Sequence, residues 1–168
     1  MKEQVSVVVT GTAWMGAGIG SIETALEELF REAEHDIGIT VYAISSHTDL
    51  LLEWLETALS RGIQVRMVVN RLNNQSSKVL IRLRRFVTVY PHFHLYDFVS
   101  DKDYDLHAKL VVIDRKKVLI GSSNLSRRGL VTNYELALLV EGPSAENVAQ
   151  AMDRLLAAPL VSRVLKPL

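Results

Sequence analysis

The sequence predicts an α/β fold, a β-sheet with crossover helices packed on it, and three observations carry that expectation. Apolar, β-branched runs alternate with amphipathic stretches in the order strand–helix–strand–helix–strand over residues 5–69. A β-hairpin pattern is centred near residue 115. The chain of 168 residues is long enough to bury roughly 70% of its unfolded surface around one core, and with no cysteine it has no disulfide to help.

Residues 5–10 read as a buried strand and the glycine-rich stretch 11–20 as a loop. Ser21 is placed to cap a helix reaching about residue 34, with Ile22, Leu26, Leu29 and Phe30 as its apolar stripe. Residues 37–44 give a second strand. Thr48 or Asp49 opens a second helix that stops at Arg61-Gly62, a C-terminal glycine signal. Residues 65–69 supply a third strand and 77–86 a third helix; extended pieces are expected at 87–90 and 93–98, then a polar loop at 100–105. Beyond the hairpin, residues 134–140 read as a strand and Gly142-Pro143-Ser144 as turn and cap. A closing helix spans 145–156, and Pro159 interrupts before a short C-terminal segment. No repeat or linker divides the chain, so a single domain over residues 1–168 is expected.

The hairpin carries the chemistry. His107-Ala108-Lys109-Leu110-Val111-Val112-Ile113-Asp114 is followed, after a gap of six residues, by Gly121-Ser122-Ser123-Asn124, the patterns HxKxxxxD and GSxN. If Arg115 and Lys116 form a two-residue loop, Lys109 opposes Ser122 and His107 opposes Asn124, all on one face. An imidazole, an ammonium, a hydroxyl and a carboxamide then converge, while Asp114 shapes the turn behind them.

These residues resemble the HKD motif of the phospholipase D superfamily, and Asn133-Tyr134-Glu135 resembles the glutamate element that follows GSxN there. The resemblance covers most of the chain and implies the phospholipase D-like α-β-α sandwich, a mixed sheet flanked by helices. It implies a metal-independent phosphodiesterase without a cofactor, in which His107 attacks phosphorus to form a phosphohistidine. Lys109, Ser122 and Asn124 would hold the non-bridging oxygens and Glu135 would fix the His107 tautomer, with Asp114 and Gly121 structural. A second, protonated histidine must release the leaving group. Larger members carry two motifs; this chain carries one. Its likeness to small single-motif members, which are dimeric nucleases, implies a homodimer sharing one active site. A different subunit, or a missing part of a longer chain, would serve equally.

Lysine and arginine number 19, as do aspartate and glutamate, so no global charge draws the protein to nucleic acid or membrane. Locally, residues 61–85 carry seven basic side chains and no acid, with Lys78, Arg82 and Arg85 at helical spacing, and Arg127 and Arg128 follow the motif. These suit backbone phosphates, and favour nucleic acid over phospholipid as substrate. A catalytically idle nucleic-acid-binding module is the third reading. Trp14, in the glycine loop, is placed to stack on a base, though it would equally serve as an aromatic plug over the core.

Other features are set aside. Gly16-Ala17-Gly18-Ile19-Gly20 ends in Ser21, short of a dinucleotide fingerprint, and reads as a loop beside the site. His92 and His94 have no third ligand at suitable spacing, so no metal site is expected. Trp54 reads as core, and His47, after the second strand, is near the expected pocket. No apolar run approaches the ~20 residues of a membrane span and no signal-peptide pattern follows Lys2. A cytoplasmic protein is expected.

Overall fold

Residues 2–45 and 49–166 are described by the computed structural model; the readings of His47 and Thr48 lie outside the described residues. The first half alternates as its patterning dictates: β1 (Gln4–Thr10), a two-residue β2 (Gly20–Ser21), α1 (Ile22–Glu32), β3 (Asp36–Val41), α2 (Asp49–Ser60), β4 (Gln64–Asn70), α3 (Ser77–Val89) and β5 (Phe93–Phe98). The second half holds the hairpin β6 (Leu110–Ile113) and β7 (Lys117–Gly121), then β8 (Glu135–Glu141), α4 (Pro143–Leu156) and β9 (Val161–Arg163). Ser21 caps α1 by accepting the Thr24 N–H at 3.0 Å. Gly62, at φ +85°, closes α2 as its sequence signal requires.

Several boundaries differ from expectation. β3 stops at Val41, short of the expected residue 44, and β2 forms at the end of the glycine-rich stretch read as a loop. α3 continues through Val89, absorbing residues read as extended, because Phe86 and Val87 both lie on its buried face. β9, unmarked by any sequence pattern, pairs antiparallel with β5.

Among the described residues the strands form one sheet in the order β2-β1-β8-β7-β6-β3-β4-β5-β9. It is mixed: β3, β4 and β5 are parallel, while β1–β8, β8–β7, β7–β6 and β6–β3 are antiparallel pairs. β1, β3, β4, β5 and β7 therefore end at the same edge, where β6 and β8 begin. One face is covered by α1, α2 and α3, whose Leu26, Leu55 and Leu83 pack on Ile37, Ile39 and Val65. On the other face α4 sets Ala145 and Ala149 against Val112, Val118 and Val140, and Met152 against Val68. Gly38 makes this close approach possible, since a Cβ there would stand 2.6 Å from Met152 Sδ.

The hairpin turn sits one residue earlier than expected. Asp114 (φ 50°) and Arg115 (φ 57°) are its central residues, as in a type I′ turn, with Lys116 N–H donating to the Ile113 carbonyl at 2.9 Å. Lys116 is left as an extra residue, so Ile113 pairs with Lys117 and Leu110 with Ile120. Both turn residues are anchored. The Asp114 carboxylate accepts the N–H groups of Glu34, His35 and Asp36 at 2.9, 2.8 and 2.8 Å. Burial pushes the Asp114 carboxyl up, but those backbone donors outweigh it and hold it below the usual carboxylate range. The Arg115 guanidinium grips Glu146 at 2.9 Å and Asp153 at 2.8 Å on α4.

Candidate active site

His107, Lys109 and the GSxN residues gather at the edge where the parallel strands end, the usual location of sites in α/β sheets, while Asp114 lies in the turn at the opposite edge. His107 and Lys109 lie just ahead of β6 rather than within it. Side chains, not sheet pairing, hold their segment. Buried Asn70 at the end of β4 accepts the Leu106 N–H through Oδ1 at 2.9 Å, and its Nδ2 donates to Asp105 at 3.1 Å. Arg71 Nε donates to the same Asp105 oxygen at 2.9 Å, and Thr40 Oγ1 to the Ala108 carbonyl at 3.0 Å. The Arg71 and Asn70 hydrogen bonds keep the Asp105 carboxyl below its ordinary range.

His107 itself is exposed. Its ring lies 4.6 Å from the Tyr42 ring, and Lys109 Nζ approaches its Nδ1 to 3.2 Å while donating to its carbonyl at 2.7 Å. Lys109 is only 7% exposed and sits 5.4 Å from the Tyr42 ring centre, a cation held against an aromatic face. Burial lowers its pKa, and the nearby Glu135 carboxylate partly opposes this. Glu135 takes a short hydrogen bond from Ser122 Oγ and another from Asn133 Nδ2 at 3.1 Å.

The one-residue shift of the turn alters the expected convergence. Lys109 pairs with Gly121, whose N–H donates to the Lys109 carbonyl at 3.3 Å, and strand parity then turns Ser122 to the opposite face. Ser122 rejoins the site by bonding Glu135. Gly121 is obligatory here, because a Cβ would stand 2.5 Å from the Leu136 carbonyl oxygen and 2.6 Å from Ala137. Asn124 lies beyond the end of β7, and its Oδ1 is buried without a hydrogen-bond partner. The hydrogen bonds of the Glu135 carboxylate go to Ser122 and Asn133, and none is formed with His107.

The basic run is also used differently from expectation. Lys78 pairs with Asp49 at 3.0 Å, Arg82 with Glu56 at 3.1 Å and Arg85 with Glu56 at 3.7 Å, so the α3 stripe lies against acids of α2, with Lys78 and Arg85 still exposed. Arg61 donates to the Phe30, Arg31 and Ala33 carbonyls at the end of α1, and Arg66 pairs with Asp153. The run lacks acids of its own because its partners come from other elements. Arg127 and Arg128 are exposed and form no ion pair among the described residues. Trp14 packs edge-on against Tyr134, with centroids 5.5 Å apart, beside Glu135.

His92 and His94 are engaged elsewhere, with the Leu59 carbonyl and with Arg163, and no metal-binding cluster occurs among the described residues. Trp54 packs partly buried against the core. No helix of the described residues is long and apolar enough to cross a membrane. Sequence reasoning missed Tyr42, Asn70, Arg71 and Asp105; the available signal was that the first three stand at the C-terminal ends of β3 and β4, beside the edge where such sites form.

Comparison with known proteins agrees with this geometry. The family described as "cardiolipin synthase, PLD-like domain" matches residues 26–157. The DISARM protein DrmC of Bacillus paralicheniformis is 33% identical over 84% of the chain, which spans 58% of that protein. Cardiolipin synthase A of Yersinia pseudotuberculosis is 31% identical over 78% of the chain, which spans 26% of that protein. The structure of a phospholipase D family member, Nuc from Salmonella typhimurium, superposes with a TM-score of 0.75 over 98% of this chain and 99% of that one; at 17% identity this is a likeness of fold. Motif, sheet and family match converge: the chain belongs to the phospholipase D superfamily.

Proposed function

We propose that the protein is a metal-independent nuclease that cleaves DNA or RNA through a phosphohistidine, in an active site shared by two copies of the chain. The observation that carries the reading is an exposed His107 seated over the buried Lys109 cation and the Tyr42 ring. In the first step an imidazole nitrogen of His107 attacks phosphorus while the leaving alkoxide takes a proton from His107 of a second copy. In the second, that histidine accepts a proton from water, the hydroxyl bonds to phosphorus and the N–P bond breaks, which regenerates both rings. Lys109, Ser122 and Asn124 stabilise the charge on the non-bridging oxygens. Arg127 and Arg128, exposed and without carboxylate partners, supply the contacts to flanking phosphates.

The test is turnover of single- and double-stranded DNA, RNA and a chromogenic phosphodiester in excess EDTA. Activity should persist with chelator and fall by at least about 10³ in His107→Ala. Loss with EDTA, or full activity in His107→Ala, would refute the mechanism. The match to a cardiolipin synthase-type domain favours phospholipid hydrolysis or transfer as the second reading. That reading predicts headgroup release from vesicles and no hydrolysis of nucleic acid.

A further inference from the structure

Among the described residues no carboxylate hydrogen-bonds the His107 imidazole. The Glu135 carboxylate is engaged with Ser122 and Asn133, and that of Asp105 with Asn70 and Arg71. The imidazole rests instead on the Lys109 ammonium and the Tyr42 ring. One ring thus serves both groups: its centroid is 4.6 Å from that of the imidazole, with the planes inclined by 55°, and 5.4 Å from Lys109 Nζ. An aromatic face attracts a cation within about 6 Å of its centre, more strongly where water is excluded, and Lys109 is buried. Inclined rings at this spacing hold each other's orientation without a hydrogen bond. The Tyr42 hydroxyl makes no hydrogen bond among the described residues, so the ring is the part of the side chain that is used.

The ring is mounted on the same support as the motif. Tyr42 follows β3 directly, and the Gln75 carboxamide ties that end of the chain to β4. Gln75 Nε2 donates to the Tyr42 carbonyl at 3.3 Å and to the Asn70 carbonyl at 2.8 Å, while its Oε1 accepts the Ile44 N–H at 2.8 Å. Asn70 in turn holds Leu106 and Asp105, just ahead of His107. Two carboxamides therefore fix the ring and the imidazole-bearing segment to one point, the end of β4.

We propose that Tyr42 is a positioning residue for the reaction, its ring face steadying the Lys109 ammonium and setting the orientation of the His107 imidazole, with Gln75 holding the ring in place. Resting on the reading that His107 and Lys109 act on a phosphodiester, this role holds for nucleic acid and phospholipid alike. The titratable groups that face Lys109 are His107 on its own segment, Tyr42 after β3 and Glu135 at the start of β8. Burial disfavours the charged ammonium and Glu135 favours it. Removing the ring face leaves burial less opposed, so the ammonium should lose its proton at lower pH.

The test is kcat, KM and the pH dependence of kcat on the chromogenic phosphodiester for Tyr42→Leu, Tyr42→Phe, Gln75→Ala and the double variant Tyr42→Leu with Gln75→Ala, each checked for folding by far-UV circular dichroism. Tyr42→Leu keeps apolar bulk without a π face. It should lower kcat about 10-fold with KM nearly unchanged and move the alkaline limb down by about half a pH unit. Tyr42→Phe should restore both. Gln75→Ala, which unseats the ring, should cost about threefold in kcat with a smaller shift of the same sign, and should add nothing in the Tyr42→Leu background. An unmoved alkaline limb in Tyr42→Leu, a Tyr42→Phe variant as impaired as Tyr42→Leu, or additive losses in the double variant would each overturn the role. Were Tyr42→Leu unfolded, a Gln75→Ala variant with wild-type kcat and alkaline limb would overturn it instead. Lys109 is also titrated directly, by the NMR shift of its Cε methylene, assigned as the signal that Lys109→Met removes. A wild-type chain that hydrolyses no phosphodiester refutes the proposed function. The titration then decides alone, a lower Lys109 midpoint in Tyr42→Leu supporting the role of the ring and an identical one overturning it.

Discussion

Lys109 is the residue at which stability and chemistry conflict. Its ammonium is buried against Tyr42 and His107, and the His107 carbonyl, the Tyr42 ring and the nearby Glu135 carboxylate only partly offset the lost hydration. Because burial depresses its pKa, the folded chain binds fewer protons than the unfolded one between that depressed value and 10.5, so stability should rise with pH across this window. Lys109→Met should abolish the rise in urea titrations between neutral and alkaline pH and increase Tm by a few degrees, while lowering phosphodiester turnover by about 10²–10³. Asn70 acts one step removed, as a positioning residue. Its amide fixes both Asp105 and Leu106, so Asn70→Ala should reduce kcat about 10-fold with KM unchanged. A matching rise in KM would instead assign Asn70 to substrate binding. Asp114 has the same pH sign as Lys109 in an acid window: its contribution is present above the unfolded carboxylate value of 3.8 and lost as pH falls through the lower folded one. Asp114→Ala should cost about 2–3 kcal/mol near pH 7, and less below pH ~3.

The hairpin shows how far the sequence could be read. Spacing placed His107, Lys109, Ser122, Asn124 and Glu135 at one end of β6, β7 and β8, because a motif on neighbouring strands is a local pattern. It misplaced the turn by one residue. Asp114 was legible as a turn former, but the left-handed pair Asp114-Arg115 is selected by bonds to residues 34–36 and to α4, which no local pattern encodes. The same holds for Tyr42 and Asn70, which reach the His107 segment only through the parallel order of β3 and β4. The basic stripe of α3 was legible as a stripe, yet its meaning depended on the acids that α2 sets beside it. Gly121 belongs to this level too: Gly121→Ala would push a methyl group into the backbone of β8 and should cost at least about 3 kcal/mol, seen as a lower denaturant midpoint.

Across the whole molecule, the net charge is zero and most of the 61–85 run is paired internally, while Arg127 and Arg128 follow the motif exposed and without ion pairs among the described residues, which makes them candidates for phosphate contact. Replacing each by alanine should weaken nucleic-acid binding uniformly across sequences and reduce the salt slope by about 1, whereas Arg82→Ala should leave binding intact and cost no more than about 1 kcal/mol of stability. An unchanged salt slope in Arg127→Ala would exclude that contact.

The anchored turn of β6 and β7 has a mechanical consequence. Asp114 and Arg115 rivet the far end of the hairpin to the start of β3 and to α4, at the opposite end of β6 from His107 and Lys109. Removing that anchor loosens the turn end of both strands. Arg115→Ala, remote from any substrate, should therefore speed hydrogen exchange through residues 110–121.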